Sequence, residues 1–211
     1  TPFFKLSWID WKFDYKIGLF SLFYKYLYRI NIRKNSAVIV QQHQLKKAFE
    51  QKFKIENCLV VYPEIIAKKT SESIDFKTNK LHFFYPSFPR SFKNFEYILD
   101  AINLLPSEIR HQIQVHLTIN KGISKYGDYI FEKAKDFPEI NCIGLISRSE
   151  IEKYYNSIDA LIFPSKMETW GLPLSEIKKY HKTIFASNLD YAKETIGAYE
   201  KVSFFDPLKA N

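Results

Sequence analysis

The chain has 211 residues, 46% hydrophobic and 17% aromatic, with six glycines, two cysteines and a lysine-plus-arginine excess of 31 − 23 = 8. That apolar content suits a soluble globular α/β protein with a real core. Cys58 and Cys142 sit in or beside apolar runs without C-x-x-C spacing, which excludes a disulfide framework and a cysteine metal site and suggests reduced thiols in a cytoplasmic setting. No run is long enough to span a bilayer, and no signal peptide is visible.

The basic balance fits nucleic acid, an anionic membrane face or simply a lysine-rich surface. No block of like charge stands out, which favours the last. The only methionine is Met167, and the chain stops at Asn211 before any closing helix, so the sequence reads as a piece of a longer protein.

Residues 3–33 are aromatic and basic, with Trp8, Trp11, Phe13 and Tyr15 ahead of F-S-L-F-Y-K-Y-L-Y-R-I. Lys16 to Ile32 is helical in character, apolar nearly all round, with Lys25 and Arg29 spaced by four. Such a segment lies on a membrane surface, its aromatics at headgroup level, or serves as a core helix of a larger domain. Aromatic-basic stretches also stack single-stranded nucleic acid, but no RNA or DNA module accompanies this one, and no nucleic-acid partner is expected. A short strand over Ala37 to Val40, a helix over Leu45 to Phe53 and a strand over Leu59 to Tyr62, closed by Pro63, follow. Lys68 to Lys80 is polar and reads as a linker or surface loop.

From Leu81 a regular alternation begins. Strands are expected at 81–85, 113–119, 141–146, 160–163, 184–188 and 202–205. Helices are expected between them, starting at Lys93-Asn94, Tyr126, Glu150, Gly171 and Tyr191, with Ser147 or Ser149 capping the third. Such alternation predicts a Rossmann-like parallel sheet with helices on both faces, and ligands bind beyond the carboxyl ends of such strands.

The stretch Leu161 to Glu176 carries the most chemistry. Pro164 and Ser165 stop an apolar strand, and Glu168 lies in the loop. Gly171 opens a helix that carries Glu176, with seven residues between the two glutamates. Amides of Trp170 to Leu172 at the helix start suit a phosphate, and a carboxylate on each side could accept hydroxyls, which together describe a nucleotide sugar. An ordinary helix entry with both glutamates solvated fits the spacing equally well.

Phe163-Pro164-Ser165, Glu168-Thr169-Trp170-Gly171-Leu172-Pro173-Leu174-Ser175-Glu176 and Ile184-Phe185-Ala186-Ser187-Asn188 resemble, without a gap, the donor-site signature of the family 4 glycosyltransferases, retaining enzymes of the GT-B fold. The resemblance implies an α/β chain of GT-B type. In it Glu168 faces the transferred sugar as the catalytic carboxylate, Glu176 holds the ribose, and the turn of Trp170, Gly171 and Leu172 lies against the diphosphate. Lys93 falls on a basic position that grips the diphosphate. Ser87 stands where many members have arginine, with Arg90 close enough along the loop to substitute, and Ile146 lies near the base unless it is a plain core residue. Thr169 stands where many members have glycine and Trp170 where phenylalanine is usual, which leaves the sugar's identity open. S-A-V-I-V-Q-Q, a helix and V-V-Y-P resemble the end of the family's N-terminal domain. The implied division is residues 1–66 from an acceptor-side domain, 67–80 as linker, and 81–211 as a donor-binding domain incomplete at its end.

Other chemistries have no support. There is no G-x-G-x-x-G and no P-loop. Without D-x-D no metal ligand set is visible, and Ser165 lies outside any G-x-S-x-G. The five histidines show no H-x-x-x-H pairing and are read as structural or surface residues. The expected function is retaining transfer from a nucleoside diphosphate sugar to a glycan or lipid-linked acceptor in cell-surface polysaccharide synthesis. It needs no metal or other cofactor and takes place in the cytoplasm or on the inner membrane face. The alternatives are a nucleotide-sugar-binding module without catalysis, or a basic peripheral membrane domain whose N-terminal helix is the functional part.

Overall fold

The computed structural model describes residues 8–65 and 70–210. Residues 3–7 of the aromatic-basic stretch, residue 66 at the end of the first division, residues 67–69 at the linker's start, the side chains of Ile17, Ser21 and Lys25, and Asn211 lie outside the described residues.

The described residues form two parallel sheets, one of two strands and one of six. The smaller unit contains α1 (Trp8–Asn31), β1 (Val38–Val40), α2 (His43–Phe53) and β2 (Cys58–Val60). Its core is Ile32, Val40, Leu45, Phe49, Phe53, Ile55 and Cys58, so the apolar residues of α2 recur at helical spacing and face the strands. The first helix is longer than its sequence suggests. It begins at Trp8 and leaves helical geometry at Asp14 (φ −135°, ψ 46°) before continuing. Phe13 packs edge-on against Tyr126 at 5.6 Å, and Tyr28 packs on Phe49 at 5.4 Å. These two contacts hold the two halves of the broken helix to different cores. Phe20, Phe23, Tyr26, Leu27 and Ile30 are exposed. None of the described helices is long and apolar enough to cross a membrane.

The larger unit runs β3 (Leu81–Tyr85), α3 (Phe95–Leu104), α4 (Ser107–Arg110), β4 (Ile113–Leu117), α5 (Lys125–Ala134), β5 (Ile140–Cys142), α6 (Arg148–Ser157), β6 (Ala160–Phe163), α7 (Leu172–Ile177), β7 (Thr183–Ser187), α8 (Asp190–Ile196) and β8 (Val202–Phe205). The strand order is β5-β4-β3-β6-β7-β8, every pair parallel. This is the doubly wound order, and its switch point lies between β3 and β6, where Phe83 pairs with Ala160 and Phe84 with Leu161. Phe84, Tyr85, Leu161, Phe163 and Ile184 are fully buried. At about 2 kcal/mol for each such side chain, that core fixes the strand ends from which the loops depart.

Two strands end earlier than their composition suggests. β4 stops at Leu117 and β5 at Cys142. Gly144, with φ +75°, then turns the chain in a way that few other residues adopt without strain. Cys58 is buried and Cys142 half-buried, and both are unpaired thiols whose pKa burial pushes up.

Residues 70–80 form a strap without regular structure along α6. Ile74 N donates to Ser157 Oγ (2.6 Å), Lys153 pairs with Glu72 (2.5 Å), and Phe76 stacks on His82 at 3.9 Å. His82 Nδ1 and His116 Nε2, on adjacent strands, are 2.9 Å apart and share one hydrogen bond. Burial, followed by the neighbouring His82, pushes the His116 pKa down to about 4, and burial also lowers that of His82.

The small unit is tied to the large one beside the sheet's carboxyl end. Fully buried Gln42 donates to Tyr191 O (3.1 Å) and Thr195 Oγ1 (3.2 Å). The amide of His43 donates to the Glu194 carboxylate at 2.8 Å. These bonds place Gln41 and Pro63 over the switch point, where they line its cleft.

Candidate functional site

The segment after β3 builds one wall of that cleft. Thr118, just past β4, accepts from Ser87 N at 2.8 Å and donates to Ser87 O at 2.9 Å. Ser87 is thereby pinned, while its own hydroxyl is buried without a partner among the described residues. A buried polar atom without a partner is costly.

Lys93 and Asn94 do not start a helix. Ser91–Lys93 is a 3-10 turn, Asn94 adopts a left-handed conformation (φ 61°), and α3 begins at Phe95. Asparagine tolerates that backbone, and this one is held by use of its amide. Asn94 Nδ2 donates to Pro164 O (3.1 Å) and Pro207 O (2.9 Å), which ties together the segments following β3, β6 and β8. Tyr85 OH donates to Lys93 O at 2.9 Å. The turn carries Lys93 away from the helix axis and across the cleft, where Nζ lies 2.5 Å from Glu168 Oε1, with both side chains mostly buried (17% and 13% exposed).

Glu168 stands in the loop after β6. That loop is fixed by Lys166 N donating to Phe92 O (2.8 Å), Ser165 Oγ to Met167 O (3.0 Å) and Tyr191 OH to Ser165 O (2.6 Å). Burial, and then the Glu168 charge, raise the pKa of Tyr85 well above its usual value, so its hydroxyl stays protonated.

Trp170 borders the cleft at the start of the turn. Its buried indole donates from Nε1 to Ser175 Oγ (2.9 Å) and packs on Tyr62 at 5.0 Å. Its side chain therefore joins the turn to α7 and to the small unit. Gly171 follows with φ +87°, and a Cβ there would sit 3.2 Å from Leu174 Cδ1. Gly171 is thus needed both for its backbone conformation and for the packing of Leu174. Leu172 begins α7, a helix of six residues that passes into a 3-10 turn at Lys178–Tyr180 rather than running on to 179. The amides of Trp170, Gly171 and Leu172 meet no main-chain acceptor among the described residues.

Glu176 is 7% exposed, so it is not solvated. Arg148 Nη1 donates to its Oε1 at 2.6 Å and Tyr155 OH to its Oε2 at 3.0 Å. Burial, then the Glu176 charge, hold the Tyr155 pKa far up. Ser147 caps α6 in a full capping box with Glu150, which fixes the end that carries Arg148.

The cleft has two connected chambers. The larger, about 550 Å³, brings Ser87, Arg90, Lys93, Glu168 and Gly171 together. The smaller, about 270 Å³, brings Ser87, Ile146, Leu172 and Glu176 together with Arg148 and Tyr155. Ser87 and Leu172 border both. The first chamber can hold an anion between two cations and the free amides. The second offers a carboxylate beside the apolar surfaces of Leu145, Ile146 and Ile151. Among the described residues no group of three or more histidine, cysteine, aspartate or glutamate side chains is placed to hold a metal ion.

Arg148, Tyr155, Thr118 and Gln41 were not read from the sequence. Arg148 left a trace, as a cation on the first helical position after a serine cap, four residues before Glu152. The other three look like ordinary core or loop residues until the chain is folded.

The family model "Glycosyl transferases group 1" matches residues 67–210. A search of curated proteins finds no match. Among solved structures, Anabaena Alr3699/HepE in complex with UDP and glucose superposes with a TM-score of 0.74 at 15% identity, covering 92% of this chain and 56% of that one. Sucrose-phosphate synthase (tll1590) from Thermosynechococcus elongatus gives 0.73 at 14% identity, covering 98% and 54%. WaaG, a glycosyltransferase involved in lipopolysaccharide biosynthesis, gives 0.64 at 14% identity, covering 80% and 48%. The chain thus spans about half the length of these structures. At such identities the likeness carries the fold, which is the α/β, GT-B-type parallel sheet expected from the alternation and the motif.

Proposed function

The chain belongs to the glycosyl transferases group 1 family, and from that premise we propose that it is the donor-binding part of a retaining glycosyltransferase that uses a nucleoside diphosphate sugar. The observation that carries the reading is the Lys93–Glu168 pair at 2.5 Å in one chamber with Glu176 buried in the next. A diphosphate in the first chamber, which Ser87 borders, is held by Lys93, Arg90 and the amides at Gly171 and Leu172. An ammonium has three donors, so Lys93 keeps two for phosphate while it bonds Glu168. The nucleoside extends into the second chamber, with its ribose on Glu176 and its base by Ile146.

As the glycosidic bond breaks, negative charge develops on the departing diphosphate. Lys93, Arg90 and the fixed amides stabilise it without reorganising, the kind of effect worth about 10²–10³ in rate for a single donor. Glu168, beside the sugar, favours positive charge at the anomeric carbon and orients the ring. Attack comes from the same face, and Glu168 is not assigned as a nucleophile. No metal takes part. The UDP and UDP-glucose complexes of HepE put uridine donors first among those to try. The acceptor is a glycan or lipid-linked chain, and the setting is polysaccharide assembly at the cytoplasmic membrane face. The exposed aromatic side of α1 favours that setting and is the one observation behind a purely membrane-binding role.

The test is transfer by the full-length protein from a panel of nucleoside diphosphate sugars, with the product's anomeric configuration read by NMR. Product with the donor's configuration is expected. Inverted product would refute retention. Binding without transfer or hydrolysis of any donor would leave a nucleotide-sugar-binding module.

A further inference from the structure

Arg148 occupies the first position of α6, where a cation meets the positive end of the helix and is disfavoured. Its contacts account for the placement. Nε donates to Glu152, one turn along, at 3.1 Å, and Nη1 donates to Glu176 at 2.6 Å. The guanidinium is planar with donors in a fixed fork, so two carboxylates on different edges fix its orientation. Burial works against its charge, but the hydrogen bond and charge of Glu176, with the hydrogen bond to Glu152, outweigh it and hold the pKa above the usual value.

Glu176 is held on both oxygens. Arg148 takes Oε1, and the hydroxyl of fully buried Tyr155 takes Oε2. A carboxylate has about four lone-pair directions, so two remain. Glu176 borders the smaller chamber, and a vicinal diol needs two acceptor directions at a fixed separation.

We propose that Arg148 is a positioning residue: clamped between Glu152 and Glu176, it holds the Glu176 carboxylate in the orientation that accepts both ribose hydroxyls of the donor, and so sets the preference for ribonucleotides over 2′-deoxyribonucleotides. The inference rests on the donor-site reading above. It differs from a plain surface ion pair, which contributes little, in that one partner is buried in the cleft wall (Glu176 side chain 9% exposed) and the other is half-exposed at its rim (Arg148, 47%).

Isothermal titration of the full-length protein with UDP and dUDP, GDP and dGDP, and ADP and dADP tests it, with each variant's melting temperature recorded. The wild type is expected to prefer one ribonucleotide over its deoxy partner by about tenfold, the scale of one hydrogen bond to a charged group. In Arg148→Ala that ratio is expected to fall toward one, as in Glu176→Gln, while Arg148→Lys, which keeps a single donor on Glu176, retains part of it. A folded Arg148→Ala that keeps the wild-type ratio overturns the proposal and leaves the donor site intact. Should Arg148→Ala fail to fold, Arg148→Lys decides: an intermediate ratio supports the proposal and an unchanged ratio overturns it. A wild type that binds nucleotides without a ribose preference overturns the roles of both Arg148 and Glu176. A wild type that binds no nucleotide overturns the donor site itself.

Discussion

Replacing Lys93 by methionine separates the structural role of the Lys93–Glu168 pair from its role toward a ligand. With side chains 17% and 13% exposed at 2.5 Å, the pair lies between a surface bridge, worth about 0–1 kcal/mol, and a fully buried one, whose breaking costs about 3–5 kcal/mol. A loss of about 2 kcal/mol is expected. At about 2–4 °C per kcal/mol for a chain of this size, the melting temperature should fall by roughly 4–8 °C. Most of that loss is the uncompensated Glu168 charge, so Lys93→Met/Glu168→Gln should melt closer to the wild type, with a coupling energy of about 1 kcal/mol or more. Nucleotide binding should not return with the stability, because the phosphate ligand is still missing. Calorimetric melting and nucleotide titration of wild type, both single variants and the double variant complete the cycle. Unchanged melting in Lys93→Met would refute the buried pair. Wild-type nucleotide affinity in the double variant would refute Lys93 as a phosphate ligand.

Three further outcomes follow from particular contacts. His82 and His116 have folded pKa values below the usual one, so the unfolded chain binds more protons. Their contribution to stability is therefore full above about pH 6.5 and is lost as pH falls toward 4. His116 alone contributes on the order of 3 kcal/mol to that loss, and His116→Phe should flatten a plot of melting temperature against pH over that range, whereas an unchanged slope would contradict the buried pair. Gly171→Ala forces a side chain onto a left-handed backbone beside Leu174. It should cost about 1–2 kcal/mol and weaken nucleotide binding, both read in one thermal titration. Asn94→Ala removes two buried hydrogen bonds and keeps a φ that alanine tolerates poorly. A loss of about 2–3 kcal/mol in urea unfolding is expected, whereas Asn94→Gly, freed of the backbone cost, should lose less.

The alternation from Leu81 to Phe205 was legible because each strand is a short apolar run bounded by breakers, and because helical spacing returns between the runs. The Leu161–Glu176 motif was legible for a second reason, since its prolines, its one glycine and its glutamates stand at fixed offsets within a single strand–loop–helix segment. What the sequence hid was either non-local or dihedral. Asn94 looks like a helix-start residue, and its left-handed φ, which closes the 3-10 turn ahead of α3, leaves no trace in the sequence. Lys93 sits 75 residues from Glu168 and Arg148 28 from Glu176, distances over which no periodicity operates. Glu176 was open to a solvated reading because Tyr155, its second partner, looks like any aromatic on a buried helix face. The early start of α1 was hidden by aromatics on all sides of the segment, which leave no clear stripe to count.

A nucleoside diphosphate site at the β3–β6 switch point can be tested by a thermal-shift titration. Wild type and Glu176→Ala would be titrated with UDP, GDP, TDP and ADP, with and without magnesium. Ligand at a hundred times its dissociation constant stabilises by about 2.7 kcal/mol, or roughly 5–10 °C here. A shift of that size is expected with one nucleotide, independent of magnesium and lost in Glu176→Ala. No shift with any nucleotide on the folded full-length protein, or a shift that Glu176→Ala leaves untouched, would contradict it.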